Sequence, residues 1–298
     1  MRTAITGASG LLGSALVPAL RRDGHSVLRL VRREPRAEDE LRWDPARHEL
    51  DPRALDDVDA VVHLSGAGIG DKRWTKAYKR ELIASRIDST TTIATALATA
   101  APRQRVLLSG SGVNWYGDTG ATEVDETVPN GTGFLASLVQ AWEAATRPAE
   151  EAGVRVVHLR TAPVLAPSGG TLGPLQTLFK AGLGGRLGSG RQYMPWISLP
   201  DWVGAARVLL TADDIRGPVN LVAPEQITNA EFTRALARAL HRPAVLPVPA
   251  FALRIALDGL ADEGALVSLR VAPRVLTDHG FTFRHRTVDE ALRWATNR

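Results

Sequence analysis

Arg2-Thr3-Ala4-Ile5-Thr6-Gly7-Ala8-Ser9-Gly10-Leu11-Leu12-Gly13 is the stretch that sets the architecture. Residues 2–6 are mostly β-compatible and run into a glycine. Beyond Gly10, the apolar residues Leu12, Ala15, Leu16, Ala19 and Leu20 take helical spacing. The segment therefore reads as strand, turn, helix. The three glycines do different things. Gly7 permits the tight turn, Gly10 lets a pyrophosphate approach the backbone, and Gly13 lets the helix pack on the strand. The helix start offers unpaired N–H groups and a positive dipole end to phosphates. In this context the triplet predicts a dinucleotide site made by Gly7, Ser9, Gly10, Leu11, Leu12 and Gly13. An α/β turn that binds no nucleotide is the competing reading.

Past this turn, the first helix stops near Gly24, with Pro18 inside it as an expected irregularity. Residues 27–31 form the second strand, and Arg32 and Arg33 follow at once. In a dinucleotide fold this position reads the adenine ribose. An acid there would bond the 2′-hydroxyl of NAD, whereas arginine accommodates the 2′-phosphate of NADP. The pair therefore points to NADP. Residues 34–57 are polar and proline-punctuated, suggesting irregular structure or short edge strands. Residues 59–64 read as a buried strand ending in Leu64, Ser65 and Gly66, a small-residue turn of the kind that ligands meet at strand carboxyl ends. His63 lies within that strand and reads as structural. Residues 76–99 read as one long helix, 105–109, 154–159 and 218–222 as further strands, and Thr228-x-x-Glu231 and Thr287-x-x-Glu290 as capping boxes.

Composition narrows the class. The chain has 298 residues, 44% of them hydrophobic, and strands alternate with helical patterns, which implies a parallel α/β sheet. There is no cysteine, so neither disulfides nor thiolate metal sites arise. The formal charge is +4, but the arginines are spread and mixed with acids, unlike the clustered footprint of a nucleic-acid binder. No apolar run reaches membrane-spanning length, and the first strand leaves no room for a signal peptide. The expectation is a cytoplasmic protein with a small-molecule substrate, without nucleic-acid, membrane or metal partners.

The opening T-G-x-x-G-x-x-G, then H-L-S-G at 63–66, R-W at 73–74 and S-R-x-x-S-T at 85–90 resemble an atypical subgroup of extended short-chain dehydrogenase/reductases, the "epimerase family" proteins with a C-terminal domain of unknown function. The resemblance extends through S-G-S-G-V-N-W-Y-G-D at 109–118, G-S-G-R-Q-Y-M-P-W-I at 188–197 and most of the chain beyond Thr228. It implies that Glu81 and Arg86 line the NADP site and that Ser111, with Ser109 next, matches the hydroxyl that meets the substrate carbonyl. It also implies that Arg191, Gln192, Tyr193 and Trp196 face an anionic or sugar-like group, such as part of a nucleotide-linked substrate. The usual Tyr-x-x-x-Lys pair is absent: Leu135 and Val139 stand in its place, and the only tyrosines are Tyr78, Tyr116 and Tyr193. Tyr116, Tyr193, Ser111 and Asp118 are the polar groups expected near a nicotinamide, and Ser111 and Tyr116 are taken as the candidate catalytic groups.

These readings predict a Rossmann-type doubly wound parallel α/β sheet over residues 1–162, with a return segment near 201–222, and a smaller C-terminal α/β substrate lobe over 163–298. The expected function is that of an NADP(H)-binding oxidoreductase or nucleotide-sugar epimerase with an unconventional acid/base. The alternative is a non-catalytic NADPH-binding sensor or partner-binding protein.

Overall fold

A computed structural model describes residues 1–101 and 103–297. Among them the chain runs β1 (Arg2–Thr6), α1 (Leu11–Arg22), β2 (Ser26–Val31), β3 (Glu40–Arg42), β4 (Ala60–His63), α2 (Lys76–Thr99), β5 (Val106–Gly112) and β6 (Glu123–Val124). It continues with α3 (Phe134–Ala144), α4 (Arg147–Glu151), β7 (Arg155–Thr161), β8 (Val164–Leu165), α5 (Leu172–Lys180), β9 (Ile197–Ser198), α6 (Leu199–Thr211) and β10 (Gly217–Leu221). The last elements are α7 (Asn229–Leu240), α8 (Ala250–Leu257), β11 (Arg270–Val271), α9 (Arg274–Asp278) and α10 (Val288–Thr296).

Among the described residues seven strands form one parallel sheet in the order β10-β7-β5-β4-β1-β2-β3. The chain thus steps outward one way through β2 and β3 and the other way through β4 and β5. Between β1 and β4 the order reverses, and in an open parallel sheet that reversal opens a crevice beyond the strand carboxyl ends. β1 pairs with both neighbours, Thr6 lying opposite Leu30 and His63. The strands are short runs of buried residues because helices cover the sheet.

Two compact units emerge. The first comprises Met1–Ser111, Leu138–Leu159 and Val203–Pro218. Its core gathers Ala4, Leu28, Val61 and Leu107 from the sheet with Ile93 and Leu97 of α2 and the buried Trp43. The polar stretch 34–57 resolves into β3 and two single-turn helices, Pro45–Arg47 and Pro52–Leu55, capped by the carboxylates of Asp44 and Asp51. Pro18 sits inside α1, which nonetheless continues to Arg22.

The second unit comprises Gly112–Ser137, Arg160–Trp202 and Val219–Arg298. It takes in residues 112–137, which the sequence reading counts with the first domain. Its core packs Leu165, Phe179 and Trp196 with Phe232 and Leu236 of α7 and Leu292 of α10. Both capping boxes are formed: Thr228 and Thr287 each accept from the backbone of the glutamate three residues on, and that glutamate accepts in return. Among the described residues no helix is long and apolar enough to cross a membrane.

Candidate functional site

The β1–α1 turn is built as its glycines require. Gly7 has φ +66°, a left-handed backbone, and a Cβ there would lie 2.8 Å from the Leu64 carbonyl oxygen. A Cβ on Gly13 would lie 2.3 Å from the Gly7 carbonyl oxygen, so only glycine lets α1 start this close to β1. Gly10 differs: a Cβ there would meet only the Gly7 carbonyl oxygen, at 3.3 Å, and otherwise open space. The Gly10 N–H donates to the Gly7 carbonyl (3.0 Å), which closes the turn. Gly10 is also the N-cap of α1, and no side chain caps that helix; no acid lies in its first turn. The N–H groups of Leu11, Leu12 and Gly13 thus head an uncapped positive helix end, the arrangement that holds phosphate. Ser9 is exposed and Leu11 and Leu12 are half-buried.

The second wall is the turn after β4, and His63 anchors it. The ring is fully buried. Its Nε2 lies 3.1 Å from the Ser89 hydroxyl, which already donates to the Ser85 carbonyl, so Nε2 carries the proton. Its Nδ1 therefore accepts from the Thr6 hydroxyl (2.8 Å), and the Thr6 oxygen accepts from the Leu64 N–H (3.0 Å). Burial pushes the imidazole pKa down to about 3, so the ring is neutral. His63 ties β1, β4 and α2 together behind Leu64, Ser65 and Gly66. The Ala67 N–H donates to Ser85 (3.1 Å), and the Tyr78 hydroxyl donates to the Gly68 carbonyl.

Arg86 underlies this turn. It is only 6% exposed, its guanidinium carbon is 4.9 Å from the Trp142 ring centroid, and a Cβ on Gly66 would touch its Cγ and Cζ at 3.4 Å. Nη1 donates to the Leu82 carbonyl, while Nε is buried without a hydrogen-bond partner. Burial lowers its pKa to about 10, which still leaves a cation at neutral pH. Glu81 takes another course: it is exposed and pairs with Lys72 at 3.0 Å. Trp142 carries no sequence signal of its own; it is noticed only because α3 lays it against Gly110 and Arg86.

Just after β2 the two arginines part. Arg33 is engaged by Glu40 through both Nη atoms, at 2.7 Å each. Arg32 is exposed.

The candidate catalytic hydroxyls are both committed. Ser111 is buried and donates to Glu143 Oε1 at 2.6 Å; Glu143 Oε2 lies 3.7 Å from His158 Nδ1. Ser109 is fully buried, its hydroxyl 3.4 Å from the Gly110 carbonyl. In the second unit, the Tyr116 hydroxyl donates to Asn220 Oδ1 (2.8 Å) and accepts from Arg160 Nη1 (3.1 Å). Burial outweighs the arginine and lifts this phenol to about 12, so it holds its proton firmly. Leu135 and Val139, in place of the tyrosine and lysine, are buried apolar side chains at 3% and 4% exposure.

The substrate-side residues separate likewise. Arg191 is exposed. The Tyr193 ring lies 5.1 Å from the Arg270 guanidinium. Gln192 is buried and donates to the carbonyls of Leu187 and Ala265, which makes it a loop brace. Trp196 needs correction: at 1% exposure it is part of the second unit's core, because the apolar faces of α5, α7 and α10 close over it. It presents no surface to a ligand.

Comparison with known proteins places this geometry. The model of the NAD dependent epimerase/dehydratase family matches residues 3–222, and a domain of unknown function, DUF1731, matches 248–295. Epimerase family protein Mb2239 of Mycobacterium bovis is 50% identical over 295 residues, covering 99% of this chain and 97% of that one. The crystal structure of human epimerase family protein SDR39U1, solved with NADPH, superposes with a TM-score of 0.91 at 30% identity over 100% of both chains. A Corynebacterium glutamicum structure named as a nucleoside-diphosphate sugar epimerase matches at 33% identity and TM-score 0.82, over 99% of this chain and 58% of that one. A glycine turn under an uncapped helix, at the reversal point of a parallel sheet and continuous with a match spanning residues 3–222, makes this chain a member of the NAD dependent epimerase/dehydratase family.

Proposed function

We propose that this protein binds NADP(H) on the β1–α1 turn and is an oxidoreductase or nucleotide-sugar epimerase that works without a Tyr-x-x-x-Lys pair. The observation that carries the reading is the Gly7–Gly10–Gly13 turn below the uncapped start of α1. The residues present fit the group. The N–H groups of α1 would hold the pyrophosphate, the Arg32–Arg33 stretch would lie at the 2′-phosphate, and Leu64, Ser65 and Gly66, over the buried Arg86, would form the opposite wall. The open space above Gly10 and the unpartnered Nε of Arg86 are features that a bound anion would use. The NADPH in the human relative's crystal structure supports the choice of cofactor.

The nicotinamide, when bound, supplies a hydride donor or acceptor. This chain's own residues hold the anion, keep His63 neutral behind the turn, and keep Arg86 charged beneath it. Of the two candidate acid/base groups, Ser111 has a carboxylate in place to take its proton, whereas the Tyr116 phenol is raised to about 12 and doubly hydrogen-bonded. Arg191 and Tyr193 remain the proposed substrate contacts, for a small nucleotide-linked molecule; the name of the Corynebacterium relative supports that class. The spread of the arginines supports a protein without a nucleic-acid partner, and the compartment we propose is the cytoplasm.

A second reading is a non-catalytic NADPH-binding sensor, favoured by the apolar Leu135 and Val139 where the proton-transfer pair would stand. One experiment separates them. The protein is titrated with NADPH and NADH, and nicotinamide absorbance is then followed against a panel of carbonyl compounds and sugar nucleotides. Tight NADPH binding with turnover of any panel member supports the enzyme. Tight binding with an inert nicotinamide supports the sensor, and no binding sinks both.

A further inference from the structure

The loop that joins β2 to β3 holds its charges unevenly. Four arginines, Arg29, Arg32, Arg33 and Arg36, lie on β2 or the loop that follows it. Asp39 takes Arg29 through Nε at 2.9 Å and Nη2 at 2.7 Å. Glu40, the first residue of β3 and opposite Arg29 in register, takes Arg33 through both Nη atoms. The same carboxylate accepts the Arg36 backbone N–H at 2.7 Å and lies 3.2 Å from Arg29 Nη2. Its side chain is 2% exposed. Arg33 also donates to the Glu34 carbonyl at 2.8 Å. One carboxylate thus pins the loop at residues 33 and 36 and takes an N–H from each Nη of Arg33. Among the described residues, no side chain or carbonyl engages the Arg32 guanidinium, which is exposed at the carboxyl end of β2.

Resting on the NADP(H) reading, we infer that Arg32 alone reads the 2′-phosphate and that Glu40 is its positioning residue, acting through Arg33. Glu40 turns Arg33 from a second phosphate ligand into a strut. The strut fixes the backbone from which Arg32 projects and leaves its guanidinium free at the carboxyl end of β2. A bidentate arginine–carboxylate pair is geometrically specific, which suits a strut. The Glu40 carboxylate stays ionised at neutral pH, since its arginine and N–H donors hold its pKa at about 2.

The test is a set of fluorescence titrations with NADPH and with NADH at fixed salt, on the wild type, Arg32→Ala, Arg33→Ala, Glu40→Gln and the double variant Arg33→Ala/Glu40→Gln. Arg32→Ala should cut the preference for NADPH about ten-fold or more, the size of a lost hydrogen bond to a charged group, with NADH affinity unchanged. Glu40→Gln should cut the preference about three-fold, as expected for a loosened strut rather than a lost ligand. The double variant should match Arg33→Ala alone, because Glu40→Gln keeps an amide oxygen for the Arg36 N–H and removes chiefly the charge that holds Arg33. The inference is overturned if Arg33→Ala costs as much as Arg32→Ala, if Glu40→Gln tightens NADPH binding, or if Glu40→Gln weakens both nucleotides equally. A wild type that binds neither nucleotide, or both alike, fails earlier and overturns the NADP(H) reading itself.

Discussion

Gly10 and Gly13 are three residues apart and serve different ends. A Cβ at Gly13 collides with backbone at 2.3 Å, and backbone cannot swing aside; a Cβ at Gly10 meets one oxygen at 3.3 Å. Gly13→Ala should therefore cost about 1–3 kcal/mol of folding stability, the usual range for overpacking, seen in urea unfolding. Gly10→Ala should leave the unfolding midpoint nearly in place and still weaken NADPH binding, because its methyl fills the space a phosphate would use. His63 makes a second prediction at this level. Its folded pKa, about 3, lies below the ordinary 6.5, so the unfolded chain binds the extra proton between those values. The contribution of the neutral ring is whole above pH 6.5 and falls by about 1.4 kcal/mol per pH unit below it. Between pH 7 and pH 5 the wild type should lose about 2 kcal/mol from this group. His25 and His285 are shifted the same way by burial, so the measurement is the difference in slope between wild type and His63→Gln. Equal slopes would remove His63 as the source. The residue types that carry these arguments are visible in the sequence; the distances that rank them are not.

Elements with local signals are the ones that sequence reading places well. The long helix read over 76–99 corresponds to α2, Lys76–Thr99, and the two Thr-x-x-Glu motifs cap α7 and α10. Thr228→Ala removes one side of a reciprocal cap, in which Thr228 accepts from the Glu231 N–H (3.3 Å) and Glu231 accepts from the Thr228 N–H (2.7 Å). It should cost about 1 kcal/mol, read as a lower midpoint in urea, with NADPH binding unchanged. Elements whose character comes from what packs over them are harder to place. The polar run 34–57 contains β3 and buries Trp43 against the His63 ring, edge-on at 6.1 Å. Trp196 sits in a glycine-rich stretch that looks like a ligand loop, yet α5, α7 and α10 bury it.

Across the molecule, the order β3-β2-β1-β4-β5-β7-β10 sets the ends of β1, β2 and β4 side by side, and with them the glycine turn, Arg32 and the Gly66 turn. A ligand that bridges these three chain segments stabilises the folded state by mass action. NADPH at about one hundred times its dissociation constant should add about 2.7 kcal/mol. Differential scanning fluorimetry should show a clear upward shift with NADPH and a smaller one with NADH at the same concentration. Equal shifts would remove the 2′-phosphate from the account.

The glycine turn, the alternation of strands and helices, the helix caps and the loss of the Tyr-x-x-x-Lys pair are all legible in the amino-acid order alone. Each is written in neighbours a few residues apart, where backbone sterics and periodicity act locally. Which polar groups stay available is a property of the folded chain. Glu40 claims Arg33 from seven residues away, Glu143 claims Ser111 from 32, and Asn220 claims Tyr116 from 104. A hydroxyl or guanidinium is a candidate ligand in any sequence. Whether it can act depends on the partner that folding brings to it, and on how much water folding takes away.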